Sequence, residues 1–182
     1  NSGVQKFVFL GSSCIYPRNC PQPIKEEYLM TGELEPTNSA YAIAKIAGIE
    51  GIKSVRKQYK FNWISLMPTN VYGPRDNFDL NNSHVLPALI RKFVEAKDRG
   101  LESVLIWGDG LSLREFIHSA DLAAAIEIAS RVYNDDNHLN IGSAQEISIL
   151  NLAHLIAEIT NFTGDIILDK SKPSGTPRKI LD

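Results

Sequence analysis

Apolar and polar positions divide this chain into short dense runs and longer mixed stretches. Lys6-Phe-Val-Phe-Leu10 is a short apolar run bounded by glycines, the pattern of a buried parallel strand. Residues 17–37 hold Pro17, Pro21, Pro23 and Pro36 and predict a long loop. A helix is predicted over 39–59, capped by Asn38 or Ser39, with Lys53, Arg56 and Lys57 near its end suiting the helix dipole. Asn62–Leu66 predicts a second strand, and Pro68–Pro74 a turn away from it. An amphipathic helix over 85–98 begins near Ser83-His84. Ser103–Trp107 predicts a strand ended by Gly108-Asp109-Gly110, and Arg114–Ile117 a short extended piece. Asp121–Tyr133 predicts a helix capped by Asp121, and Leu139–Gly142 a strand end. Ser148 caps a helix to about Asn161, and Asp165–Leu168 is the last strand. Strands alternating with helices argue for an α/β fold with parallel pairing.

The remaining bulk properties narrow the field. The chain has 182 residues, 43% hydrophobic and 22% charged, with a formal net charge of -2. That balance points to a globular domain and gives no sign of a nucleic-acid or membrane-surface partner. No apolar run is long enough to span a bilayer, and no basic segment followed by an apolar one opens the chain. Cys14 and Cys20 match neither a zinc nor a redox spacing, and His118, His138 and His154 lack metal-ligand spacing, so no metal is expected. A reduced, cytoplasmic protein is the default expectation.

Chemistry concentrates in Ser39-Ala-Tyr41-Ala-Ile-Ala-Lys45, downstream of Gly11-Ser12-Ser13-Cys14-Ile15-Tyr16-Pro17. A four-residue spacing puts Tyr41 and Lys45 on one helix face. An ammonium beside a phenol favours the phenolate. A strand ending at Ser12 can bring a hydroxyl to the same place, giving a Ser/Tyr/Lys proton-transfer site. A glycine-rich turn between strand and helix, which brings a dinucleotide pyrophosphate to a helix N-terminus, is absent from this sequence. Either the chain binds no dinucleotide, or that half lies elsewhere. The opening at Asn1-Ser-Gly-Val and the stop after Arg178–Asp182 suggest a fragment cut at both ends.

Several segments carry a resemblance. They are Gly11–Pro17, Glu35–Asn38, Tyr41–Gly48, Met67–Pro74, Asp76–Phe78, Asn82–Val85, Trp107-Gly108, Arg114–Phe116, Asn140–Gly142 and Lys172–Lys179. In order along nearly the whole chain, they resemble the GDP-L-fucose synthases, a branch of the extended short-chain dehydrogenase/reductase family. Ser-Ser-Cys and Asn-Ser-His set that branch apart from generic sugar-nucleotide epimerases. Met67, where the superfamily has an arginine, agrees with it, whereas Ser174 stands where relatives tend to be acidic.

The resemblance implies part of a Rossmann-like doubly wound parallel sheet over 1–82, with 114–142 returning to it. It implies a smaller α/β substrate-binding region over 83–182. The implied activity is 3,5-epimerisation of GDP-4-keto-6-deoxy-D-mannose followed by NADPH-dependent reduction at C4, making the parent both an epimerase and an oxidoreductase. Cys14 matches the base and His84 the acid, while Tyr41 would protonate the C4 oxygen that Ser12 holds. Lys45 would tune Tyr41 and bond the nicotinamide ribose. Gly11, Ser12, Ser13, Lys45, Pro68, Thr69, Asn70, Val71 and His84 match the NADP(H) site. Lys92, Trp107, Arg114 and Lys179 match positions near the GDP-sugar.

Plainer readings stand beside these. Cys14 as a small buried residue, His84 as a helix-start residue, Trp107 as core and Lys92 as a surface lysine all fit the sequence. Ser13 is the alternative to Ser12. Relatives are homodimers, so a homodimer is expected of the intact protein. Two other functions remain open: another NAD(P)-dependent sugar-nucleotide epimerase or dehydratase, and a non-catalytic GDP-sugar-binding remnant. The 182-residue chain by itself is expected to be inactive and poorly soluble.

Overall fold

The computed structural model describes residues 3–80, 82–172 and 174–182. Of the segments read above, the opening Asn1-Ser2 and Pro173 of the Lys172–Lys179 run lie outside the described residues. In chain order the elements are β1 (Lys6–Leu10), α1 (Ser39–Tyr59), β2 (Asn62–Pro68), β3 (Asn70–Tyr72), α2 (Val85–Asp98), β4 (Ser103–Trp107), β5 (Leu113–His118), α3 (Ser119–Val132), β6 (Leu139–Ile141), β7 (Glu146–Ser148), α4 (Ile149–Thr160), β8 (Asp165–Asp169) and β9 (Arg178–Lys179). They divide into two compact units. The first is Asn1–Val71, Glu115–Gln145 and Lys179–Asp182; the second is Tyr72–Arg114 and Glu146–Arg178.

The first unit is built on a parallel sheet of order β1-β2-β6. β2 lies in the middle and is buried from Ile64 to Pro68, as expected of a strand covered on both faces. Alternation along the strands separates two cores. Met67 and the partly buried Phe9 join Ile49 and Ile46 of α1, together with Ile15, Tyr16 and Leu181. Ile64, Leu66 and Val8 join Ala129 and Ile126 of α3. Helices thus cover both faces of the sheet. On the α1 side the approach is close: a Cβ on Gly48 would sit 2.2 Å from the Phe9 ring. Lys60, in the left-handed conformation, ends α1 by donating its amide to Arg56 O.

The second unit pairs β4 with β8 in parallel, from Ser103 opposite Asp165 to Trp107 opposite Asp169. Helices α2 and α4 pack together there, and Phe93 meets Phe162 edge to face at 5.5 Å between ring centroids.

Local reading fails where distant pairing decides. β2 runs to Pro68, not Leu66, because Met67 and Pro68 find partners in Asn140 and Ile141 of β6. Asn70–Tyr72 is strand rather than turn. The 17–37 loop contains 3-10 turns at Glu26–Tyr28 and Pro36–Asn38. Helix α3 is capped by His118 Nδ1, which accepts the Ala120 amide, so Asp121 lies in its first turn and is not the cap. Asn38 precedes α1 without capping it through its side chain.

Candidate functional site

The site begins where β1 ends. Gly11 donates its amide to Leu66 O at 2.9 Å, and a Cβ there would fall 2.3 Å from Met67 Sδ. No larger residue fits that approach without displacing the methionine. Ser12 then turns the chain: its Oγ accepts the Cys14 amide at 3.2 Å and starts a 3-10 turn over Ser13–Ile15. Ser13 and Ile15 point into the core, whereas Ser12 and Cys14 stay half-exposed. Of the two candidate serines, Ser12 is the accessible one.

Helix α1 brings its polar pair to the same place. Lys45 donates to Leu10 O at 2.8 Å, and its ammonium lies 5.6 Å from the Tyr41 ring centroid and 5.4 Å from that of Phe9. Tyr41 is 50% exposed, so its phenol is open to a ligand. The bond from Lys45 to Leu10 ties the helix face to the residue preceding Gly11.

Cys14 has company that local sequence does not reveal. Lys179 Nζ lies 3.3 Å from Cys14 Sγ. Burial pushes the thiol up. The Lys179 charge and hydrogen bonds involving Ser12, Lys179 and Asn38 outweigh this and hold it below the ordinary cysteine value. Asn38, which makes no side-chain cap to α1, is thus one of the groups beside the thiol. Only the three-residue interval between Asn38 and Tyr41 hinted that the asparagine belongs here.

The Pro68–Val71 segment follows β2. Thr69 Oγ1 and Asn70 Nδ2 both donate to Glu115 O, at 3.2 and 2.8 Å. These side-chain donors therefore fix the junction between β2 and β3. Glu115 itself is fully buried, and its carboxylate accepts the amides of Ser143, Ala144 and Leu181.

His84, Lys92, Trp107 and Arg114 belong to the second unit. His84 occupies the N-cap position of α2 but makes no side-chain cap, so its ring is not used in starting the helix. Trp107 is 59% exposed and is not core. Lys92 and Lys172 each place an ammonium 5.7 Å from its ring centroid. Lys92 also donates to Leu105 O, and burial lowers its proton affinity. Burial acts the same way on Arg114, whose Nη1 donates to Leu113 O. Ser174 Oγ accepts the Asp109 amide and donates to Asp109 Oδ1.

Residues 1–142 match the NAD dependent epimerase/dehydratase family. The chain belongs to that family. Among its members, GDP-L-fucose synthase of Sinorhizobium fredii (strain NBRC 101917 / NGR234) is 58% identical over 180 residues, 99% of this chain and 57% of that protein. GDP-L-fucose synthase of Escherichia coli (strain K12) is 48% identical, covering 98% and 59%. A crystal structure of a GDP-L-fucose synthetase from Naegleria fowleri bound to NADP superposes with a TM-score of 0.91 at 31% identity, covering 99% of this chain and 58% of that one. The chain thus spans somewhat over half the length of the relatives it matches. The α/β fold with parallel sheets is that of Rossmann-like short-chain dehydrogenases/reductases.

Members of this family are NAD(P)-dependent, and the residues present fit the nicotinamide end of such a cofactor. Tyr41 presents an exposed phenol with the Lys45 ammonium over its ring, next to the turn at Ser12. Among the described residues, no group of three or more His, Cys, Asp and Glu is placed to hold a metal ion. None of the described helices is long and apolar enough to cross a membrane.

Proposed function

We propose that the protein these residues serve converts GDP-4-keto-6-deoxy-D-mannose to GDP-L-fucose, by epimerisation at C3 and C5 and then NADPH-dependent reduction at C4. The observation that carries this is Cys14, held at the end of β1 by Lys179 with its thiol below the usual cysteine value. Simple reduction of a ketone needs no carbon base. Epimerisation beside a ketone does, because the C–H bond must break before the carbon can invert. The relatives named as GDP-L-fucose synthases, at 48% and 58% identity, support the same substrate.

In this reading Cys14 thiolate takes the proton from the carbon beside the ketone. The C–H electrons move onto the ketone oxygen, and His84 returns a proton on the opposite face. The Ser12 hydroxyl holds that oxygen. The chemistry NADPH would supply when bound is hydride for C4, and the Tyr41 phenol gives the oxygen its proton. Lys45 sits over the Tyr41 ring and would hold the nicotinamide ribose of a bound cofactor. Gly11 and Val71 would line the cofactor side with Pro68, Thr69 and Asn70, while Ser13 lies buried behind the turn. Trp107, Lys92 and Arg114 take the GDP moiety, where cations suit a diphosphate. The first unit is the cofactor-bearing part and the second the substrate-bearing part. The working protein is a homodimer, for which exposed Ile43 on α1 is an apolar side chain to cover.

The test uses full-length protein in deuterated water. Without NADPH, deuterium should enter C3 and C5 of the 4-keto sugar; with NADPH, GDP-L-fucose should form. Cys14→Ser should stop the exchange. Tyr41→Phe should keep exchange and slow reduction by about 100-fold or more. Reduction without deuterium at C3 or C5 would make the protein a plain C4 reductase and overturn the reading.

A further inference from the structure

The residue that contacts Cys14 from farthest along the chain is Lys179, and its backbone setting is built rather than incidental. Ile180 donates its amide to Gln22 Oε1 at 3.0 Å and accepts that of Ile24 at 2.8 Å. Leu181 donates to buried Glu115 Oε2 at 3.0 Å and is itself 4% exposed. Asp182 donates to Ile24 O at 2.9 Å. These bonds fix the backbone from which the Lys179 side chain reaches the thiol.

The groups facing Cys14 come from three directions: Ser12 from the end of β1, Asn38 from just before α1, and Lys179 from β9. Ser12 and Asn38 are neutral. Lys179 is the charged member of this set.

We infer that Lys179 is the positioning residue that keeps Cys14 as a thiolate aimed at the carbon acid, a role separate from any contact with the GDP-sugar. The inference rests on the assignment of Cys14 as the epimerisation base. When the thiolate takes the proton, a C–H bond breaks and an S–H bond forms. The electron pair goes to the ketone oxygen, and Lys179 stays an ammonium throughout. The lysine stabilises the reactant thiolate and donates one N–H to the sulfur, leaving two others for solvent or substrate. An ammonium in hydrogen-bond contact shifts a partner's proton affinity by a unit or more.

The test is the pH dependence of Cys14 alkylation by iodoacetamide in the full-length protein without substrate. Tryptic peptide Phe7–Arg18 contains Cys14 and not Cys20, so mass spectrometry reads this thiol alone. In Lys179→Met the inflection should move up by a unit or more, with about tenfold less thiolate at neutral pH. Deuterium exchange at C3 and C5 should slow in parallel. Lys179→Arg keeps the charge and should keep the low inflection, which a purely structural role for the lysine would not require. An unchanged inflection in folded Lys179→Met, while Cys14→Ser abolishes exchange, would overturn this inference and leave the proposed function standing. Exchange that survives Cys14→Ser would overturn both.

Discussion

Glu115, with no exposed surface, accepts the backbone amide of Leu181 through one carboxylate oxygen and the amides of Ser143 and Ala144 through the other. A carboxylate can do this because both oxygens accept and neither donates. In Glu115→Gln the amide nitrogen must face one of these N–H groups. Charged hydrogen bonds of this kind are worth about 1.5–3 kcal/mol each, so urea unfolding should show a loss of at least that size. Gly142 is constrained by the same carboxylate, since a Cβ there would sit 2.3 Å from Glu115 Oε1. Gly142→Ala should therefore also destabilise the protein.

Gly48→Ala tests how closely α1 approaches β1. The added methyl group would press into the Phe9 ring, 2.2 Å away. Overpacking of this kind costs about 1–3 kcal/mol. Phe9→Leu in the Gly48→Ala background should recover part of the loss in a thermal melt. Additive losses would show that the helix yields instead of the ring.

His138 sets a dependence on acid. The Tyr16 hydroxyl donates to Asn140 Oδ1 at 2.5 Å, so the Nε2–H of His138 donates to Tyr16 at 3.0 Å. Nδ1 is buried and has no partner among the described residues. A second ring proton would have nowhere to go. Burial first, and the Lys53 charge next, lower the proton affinity of the ring, against the pull of Glu26 and Glu50. The folded state thus binds this proton more weakly than the unfolded chain does. The ring's contribution to stability is whole above the unfolded imidazole value of about 6.5. It is lost as pH falls from there through the lowered folded value. Urea midpoints at pH 7 and pH 5 should differ in the native protein and differ less in His138→Gln.

The 182-residue chain by itself should show no NADPH oxidation with the 4-keto sugar. It presents Tyr41 and Lys45 for the nicotinamide end, but its sequence has no glycine-rich turn for the pyrophosphate. Following NADPH absorbance over time is enough to check this, and steady turnover would refute it.

Elements that depend on local pattern were legible in the sequence. β1 and the whole of α1 from Ser39 to Tyr59 stand where the local pattern places them, although β1 is not the buried strand its apolar run suggests, since Phe7 and Leu10 are exposed. So does α4, where the Ser148 hydroxyl accepts the Asn151 amide. What local pattern missed depends on partners far along the chain. Met67 and Pro68 are strand because β6 lies beside them. Glu146–Ser148 and Arg178–Lys179 are too short to carry a period of their own. At the site, Tyr41 and Lys45 were readable because a helix fixes their spacing. The meeting of Cys14 with Lys179, 165 residues apart, follows from no spacing rule. Asp121 is not the cap of α3 because a histidine three residues earlier offers a ring nitrogen to the same helix start.

The segment after β9 returns at Ile180 to Gln22 across 158 residues, so the first unit draws on one of the earliest and one of the latest stretches of this chain. During synthesis, β1, α1 and β2 can assemble long before Lys179 leaves the ribosome. Until it does, Cys14 lacks the Lys179 ammonium beside its sulfur. A nascent chain, or one whose translation stopped early, would therefore hold the recognisable tyrosine and lysine without an armed sulfur. Reactivity at this cysteine becomes a marker that synthesis has passed Lys179.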